Sequence, residues 1–212
     1  APLGKSKGHR HNVWNNKLSK LDFYDAIVIH SYAKVTKGED RYGQMISEQV
    51  EGGNKTEAFE IYKKRALNYL TTDYSKEVQE YVNVFNKPIW VTEWNLQISK
   101  TTGNTLLQSL FVAQYFLELL SNPDLSAIEL TTYHNLGGRD YSGSIFRNNK
   151  GKMEIQSTYY PMKMIGKIFE NDIVRIEKEK ESFIYQCYDK NADEVLEFFV
   201  DWSKKQLLCT SY

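Results

Sequence analysis

The chain has few of the features that point to common partners. Its 212 residues hold two cysteines, Cys187 and Cys209, without metal-ligand spacing. They read as a cross-strand pair or, more simply, as two buried free thiols. Lysine plus arginine equals aspartate plus glutamate at 27 each, so the formal net charge is zero. No excess of either sign steers the chain to nucleic acid or to an anionic membrane. No apolar run is long enough to span a bilayer. No secretory leader opens the sequence, as none would in a mature chain. Repeats of solenoid length and low-complexity linkers are also missing.

What is present fits one α/β domain with a small appendage. Residues 1–20 read as a loop running into a short helix at Trp14–Leu18. "YDAIVIHSY" (24–32) is a β-branched, apolar run and reads as a buried parallel strand. A polar loop over 36–54 follows, with an Asn-Lys-Thr glycosylation triplet at Asn54. Two helices are expected at 57–70 and 75–85. The first places Phe59, Tyr62, Ala66, Tyr69 and Leu70 on one side, and Asp73 or Ser75 caps the second. "PIWVTEW" (88–94) is the second strand. A long helix opens after Gly103-Asn104 and stops at Asn122-Pro123. "LSAIELTTYHN" (125–135) is the third strand, and "TYYPMKMIGKIFEN" (158–171) is a helix with Pro161 in its first turn. Strand and helix alternate, which predicts parallel strands joined by right-handed crossovers. After Asn171 the pattern changes. Four short strands, "IVRIE", "SFIYQCY", "VLEFFVD" and "QLLCT", separated by charged turns, predict an antiparallel β appendage over 171–212.

In parallel α/β folds the reactive groups gather at the carboxyl ends of strands. All three strand ends here are polar: His30-Ser31-Tyr32, Thr92-Glu93-Trp94 and Tyr133-His134-Asn135. Strand alternation places Val28, His30 and Tyr32 on one face, and Ile89, Val91 and Glu93 on one face of the next strand. If the aliphatic set faces the interior of the sheet, Glu93, His30 and Tyr32 converge. The third strand leaves its inward set open. A carboxylate near apolar walls tends to take up a proton, whereas a nucleophile must stay ionised. A phenol donating to it, such as Tyr32, stabilises the charged form. The competing reading is that Glu93 caps a helix or pairs with a surface lysine.

"HSY" at one strand end and "WVTEWN" at the next resemble the (β/α)8-barrel glycoside hydrolases of clan A. The likeness is greatest to the α-L-arabinofuranosidase, xylosidase and agarase-like branches, and covers roughly residues 20–170. In that clan the sixth strand commonly ends in His-x-Tyr and the seventh in a nucleophilic glutamate. The resemblance implies an α/β fold: residues 1–170 as the C-terminal part of a (β/α)8 TIM barrel, with 171–212 as a β-sandwich-like appendage. It implies a retaining glycoside hydrolase acting on plant or algal poly- or oligosaccharide, without cofactor, in a secreted or periplasmic setting. Glu93 becomes the nucleophile and Tyr32 its hydrogen-bond partner. His30, Trp94, Tyr133, His134 and Asn135 become substrate-binding residues, with Arg139 in a substrate loop. The aromatic content of 14% suits stacking on sugar rings and equally a large core.

The sequence departs from the clan in one respect. The clan's general acid is a glutamate following asparagine on the fourth strand, and this chain has no Asn-Glu dipeptide. The expectation is therefore an inactive portion of a barrel, its remainder supplied by a missing segment or another chain. Two other readings stand beside it. One is a metal-dependent hydrolase using His9, His11, His30, His134 and Glu93. The other is a non-catalytic carbohydrate-binding scaffold.

Overall fold

A computed structural model of the chain describes residues 10–36, 38–39, 45–46, 55–97, 99, 101–138, 143–168, 171–189 and 192–212. Helix α1 (Arg10–Leu18) leads to strand β1 (Ile27–Ala33), followed by the two-residue strands β2 (Gly38–Glu39) and β3 (Met45–Ile46). Helix α2 (Lys55–Asn68) runs through a π-helical turn at Tyr69–Asp73 into α3 (Tyr74–Phe85). Asp73 therefore keeps helical dihedrals and makes no cap hydrogen bond, unlike the expected break. Asn86 closes α3 in the left-handed region at φ 47°, and Pro88 leads into β4 (Ile89–Leu96). Helix α4 (Leu106–Ser121) is capped by Thr105 and ends at Asn122-Pro123, both as expected. Strand β5 (Ile128–Tyr133) follows.

Three short strands follow: β6 (Gly137–Gly138), inside the stretch 136–143 that reads as loop, then β7 (Phe146–Asn149) and β8 (Lys152–Ile155). Helix α5 (Tyr159–Ile165) precedes β9 (Ile173–Glu179), β10 (Ser182–Asp189), β11 (Glu194–Asp201) and β12 (Gln206–Ser211).

Strands β1, β4 and β5 pair in parallel in the order β1-β4-β5, and β9 to β12 form an antiparallel sheet in the order β12-β11-β10-β9. The mixed α/β class is as expected. Among the described residues the parallel sheet has three strands and is not closed into a barrel, and the C-terminal strands make one sheet rather than the two layers of a sandwich.

The core lies between the two sheets. Ile29, Ala33, Ile89, Val91, Trp94 and Leu96 pack from the parallel sheet onto α2, α3 and α4. Phe183, Tyr185, Phe198 and Val200 pack from the other side. Helix α4 is caught between them, which explains why it is apolar on nearly every side. Its polar residues are paired across the layer. Glu118 accepts from Tyr185 Oη at 2.7 Å and from Arg175 Nη1 at 3.1 Å, and Gln114 accepts from Trp202 Nε1 at 2.5 Å. Cys187 on β10 and Cys209 on β12 are free thiols, with β11 between their strands.

Arg175→Ala leaves the Glu118 carboxylate buried with less compensation. We expect it to destabilise the chain by about 2 kcal/mol, less than for a fully buried pair because the guanidinium is part exposed. Urea denaturation followed by tryptophan fluorescence measures this. An unchanged midpoint would show that the pair adds nothing.

Candidate active site

Two strands bring the central groups together. On β1, Ile29, Ser31 and Ala33 are buried against the helices, and Ser31 Oγ lies 2.5 Å from Tyr69 Oη. His30 and Tyr32 consequently project to the opposite, open face. On β4 the aliphatic residues Ile89 and Val91 also point to the helices, so strict alternation would send Glu93 into the core with them.

A β-bulge prevents this. Ile29 pairs with Val91 but His30 pairs with Glu93, so Thr92 has no opposite number on β1. On the other side Val91 pairs with Thr131 and Trp94 with Tyr133, again one residue short. The extra residue reverses the phase of the strand. Glu93 emerges on the open face, and Trp94 turns into the core. The expected convergence therefore occurs through the bulge, not through a shared face with Ile89 and Val91.

The site is compact. Tyr32 Oη donates to Glu93 Oε2 at 2.7 Å, across adjacent strand ends. His30 Nδ1 stands 3.6 Å from the same oxygen, within ion-pair range and beyond a hydrogen bond. The His134 ring meets Tyr32 edge-on, with centroids 6.1 Å apart, and its Nδ1 is buried without a hydrogen-bond partner among the described residues. Burial, then the hydrogen bond and the charge of Glu93, push the Tyr32 phenol above its ordinary ionisation range.

Other expected site residues fall elsewhere. Trp94 is fully buried and stacks on Tyr115 at 3.9 Å, so its ring packs against α4 rather than forming a sugar-facing wall. Tyr133 sits edge-on to Trp94, donates to the Gly143 carbonyl, and is pushed up to about 12 by burial. Its hydroxyl is thus committed within the protein. Asn135 is half-buried. Its carbonyl accepts from Ile145 N at 3.1 Å, and its Oδ1 has no partner among the described residues. His9, Arg139 and Asn54 lie outside the described residues, and the other two residues of the Asn54 triplet open α2. His11 lies on α1. Among the described residues no group of three or more His, Cys, Asp or Glu could hold a metal ion.

Sequence reasoning missed two things: the bulge at Thr92, and the buried amide of Asn95 just beyond Glu93. The lone signal for the bulge was a carboxylate in phase with aliphatic residues.

No protein-family model matches the chain, and no curated protein matches its sequence. Solved structures do resemble it. The GH51 arabinofuranosidase of Xanthomonas axonopodis pv. citri has TM-score 0.62 at 9% identity, over 90% of this chain and 41% of that one. The catalytic domain of GH30 xylanase C from Talaromyces cellulolyticus gives TM-score 0.40 at 8% identity, over 82% of this chain and 48% of that one. The likeness to the arabinofuranosidase is one of fold. This chain spans less than half the length of either protein. No helix among the described residues is long and apolar enough to cross a membrane.

The Tyr32 environment predicts a pH response. The unfolded phenol ionises near 10, and the folded one higher. The stability of the protonated form is therefore complete below about 10 and is lost as pH climbs toward the folded value. Ring-labelled tyrosine NMR will show Tyr32 titrating late. Glu93→Gln will move its midpoint down while leaving it above the ordinary value, because burial remains. A Tyr32 midpoint at the ordinary value would contradict the geometry.

Proposed function

We propose that Glu93 is the nucleophile of a retaining glycoside hydrolase acting on plant or algal poly- or oligosaccharide. The observation that carries this reading is the Tyr32–Glu93 hydrogen bond at the carboxyl ends of two adjacent parallel strands. Fold likeness to an arabinofuranosidase supports it. Tyr32 and His30 both approach Oε2, which leaves Oε1 as the attacking atom. Oε1 forms a bond to the anomeric carbon while the glycosidic C–O bond breaks, and the leaving oxygen takes a proton from an acid. The conjugate base of that acid then deprotonates water, which attacks the anomeric carbon and releases Glu93.

Among the described residues, Glu93 is the sole carboxylate at the carboxyl ends of β1, β4 and β5. Retention needs a second carboxyl about 5–5.5 Å away. We assign it to further strands that complete the sheet, from the same polypeptide or another chain. The open face supports this. Val28, Trp90 and Leu130 are adjacent on it and 51%, 39% and 40% exposed, whereas parallel sheets are ordinarily covered on both faces. The setting is secreted or periplasmic. The single carboxylate among the described residues equally favours a second reading, sugar binding without turnover.

A fluorinated dinitrophenyl glycoside tests the choice, because its leaving group needs no protonation. We expect mass spectrometry to find the sugar esterified to Glu93. Tyr32→Phe should slow labelling roughly a hundredfold, as loss of one preorganised donor does. Sugar binding with no label on Glu93 would establish the second reading. Enzyme-like cleavage of unactivated glycosides by residues 1–212 alone would overturn the assignment of the acid to further strands.

A further inference from the structure

Beyond Glu93, the strand ends in a polar clamp that the chemistry above does not use. Asn95 is fully buried. Its Oδ1 accepts from Leu96 N at 2.7 Å and from Gln108 Nε2 at 3.1 Å. Its Nδ2 donates to the carbonyl of His134 and, at 3.3 Å, to that of Gly143. Two acceptor sites and two donor hydrogens are thus all used. Turning the amide over would set its oxygen against two carbonyl oxygens, so the network fixes one orientation.

Two of the partners of the amide, Gln108 and Gly143, are held in turn. Gln108 Oε1 accepts from Asn104 N at 2.8 Å, which ties the clamp to the start of α4. Gly143 has φ +71°, and a Cβ there would collide with the Gln108 side-chain amide. The close approach and the left-handed backbone both require glycine. The clamp joins β4, α4 and the exit of β5.

We infer that Asn95 is a positioning residue: by holding the main-chain carbonyl of His134, it sets that imidazole edge-on to Tyr32 and so fixes the wall beside Glu93. His134 follows the last residue of β5, where no further ladder pairing restrains it. Its main chain is also tied to the sheet by His134 N, which donates to Trp94 O at 3.1 Å. The carbonyl bond completes the restraint, and the ring orientation follows. The inference rests on Tyr32 and Glu93 forming the site, and its test is independent of turnover.

The test uses the 212-residue chain with ring-labelled histidine and tyrosine. Asn95→Asp keeps the shape of the side chain but turns its donors into acceptors facing two carbonyls. Gln108→Met keeps the volume and removes the group that orients Asn95. In both, we expect the His134 ring signals to move and their cross-relaxation with the Tyr32 ring to be lost, with those of His11 unchanged. In Asn95→Asp, acidification returns a carboxylic O–H donor and restores the His134 signals. A variant that packs less well in general would not give that reversal. If Asn95→Asp does not fold, Gln108→Met decides alone. Folded variants with the His134–Tyr32 cross-relaxation intact would overturn the inference. A positive result with no sugar label on Glu93 would leave Asn95 positioning a binding site rather than a catalytic one.

Discussion

The hydrogen bond between Tyr32 and Glu93 is the constraint around which the rest is arranged, and one extra residue makes it geometrically possible. Without the bulge at Thr92, the carboxylate would follow Ile89 and Val91 into the helix-facing core. An ionised group there would need partners that an apolar layer does not offer. Trp94 would then stand on the open face. The bulge resolves both conflicts: the large aromatic is buried and the acid is presented. A carboxylate at a strand end can serve as a reactive group only if the strand's phase allows it to emerge. Here that phase is a local backbone property rather than a consequence of side-chain pattern.

Behind the site lies a stiff support. Trp94 stacks on Tyr115, Tyr115 donates to Tyr74, and Tyr74 stacks on Tyr69, whose hydroxyl meets Ser31 between His30 and Tyr32. The buried aromatics therefore tie the backs of both site-bearing strands to the same helices. Helix α4 is pinned on its far side by Glu118 and Gln114 to the C-terminal sheet. Reacting groups must be held to a fraction of an ångström, and packed aromatics with paired polar groups provide that rigidity. The C-terminal strands contribute to the site in this way without touching it.

Much of this was legible in the residues. Alternation of apolar strands and helices gave the parallel sheet. The end signals at Asn104 and Asn122-Pro123 bounded α4, and short apolar runs separated by charged turns located β9 to β12. His30, Tyr32 and Glu93 were identified as a group. The Trp94 assignment failed because an aromatic beside a candidate nucleophile reads the same whether it faces ligand or core. The neighbours that decide, Tyr115 and Phe116, are some twenty residues away in sequence. The strands of the 137–155 segment were missed because they are only two to four residues long, too short for a periodic signal. Asn95 was missed because its partners are main-chain carbonyls, and a sequence does not show where carbonyls point.

Along the open face the strands change character in one direction. Val28, Trp90 and Leu130 occupy the amino half, while His30, Tyr32, Glu93 and His134 occupy the carboxyl half. An apolar floor beneath a polar mouth is what a barrel interior needs: the floor packs and the mouth reacts. On a three-stranded sheet the same gradient leaves the floor wet and the mouth one-sided. Under the proposed reading, uncovered apolar side chains and the lack of a second carboxylate among the described residues then share one remedy. Strands added to cover Val28, Trp90 and Leu130 would bring their own carboxyl ends level with Glu93, where the proposed mechanism places its acid. Under the proposed function, the packing requirement and the chemical requirement thus call for the same added strands.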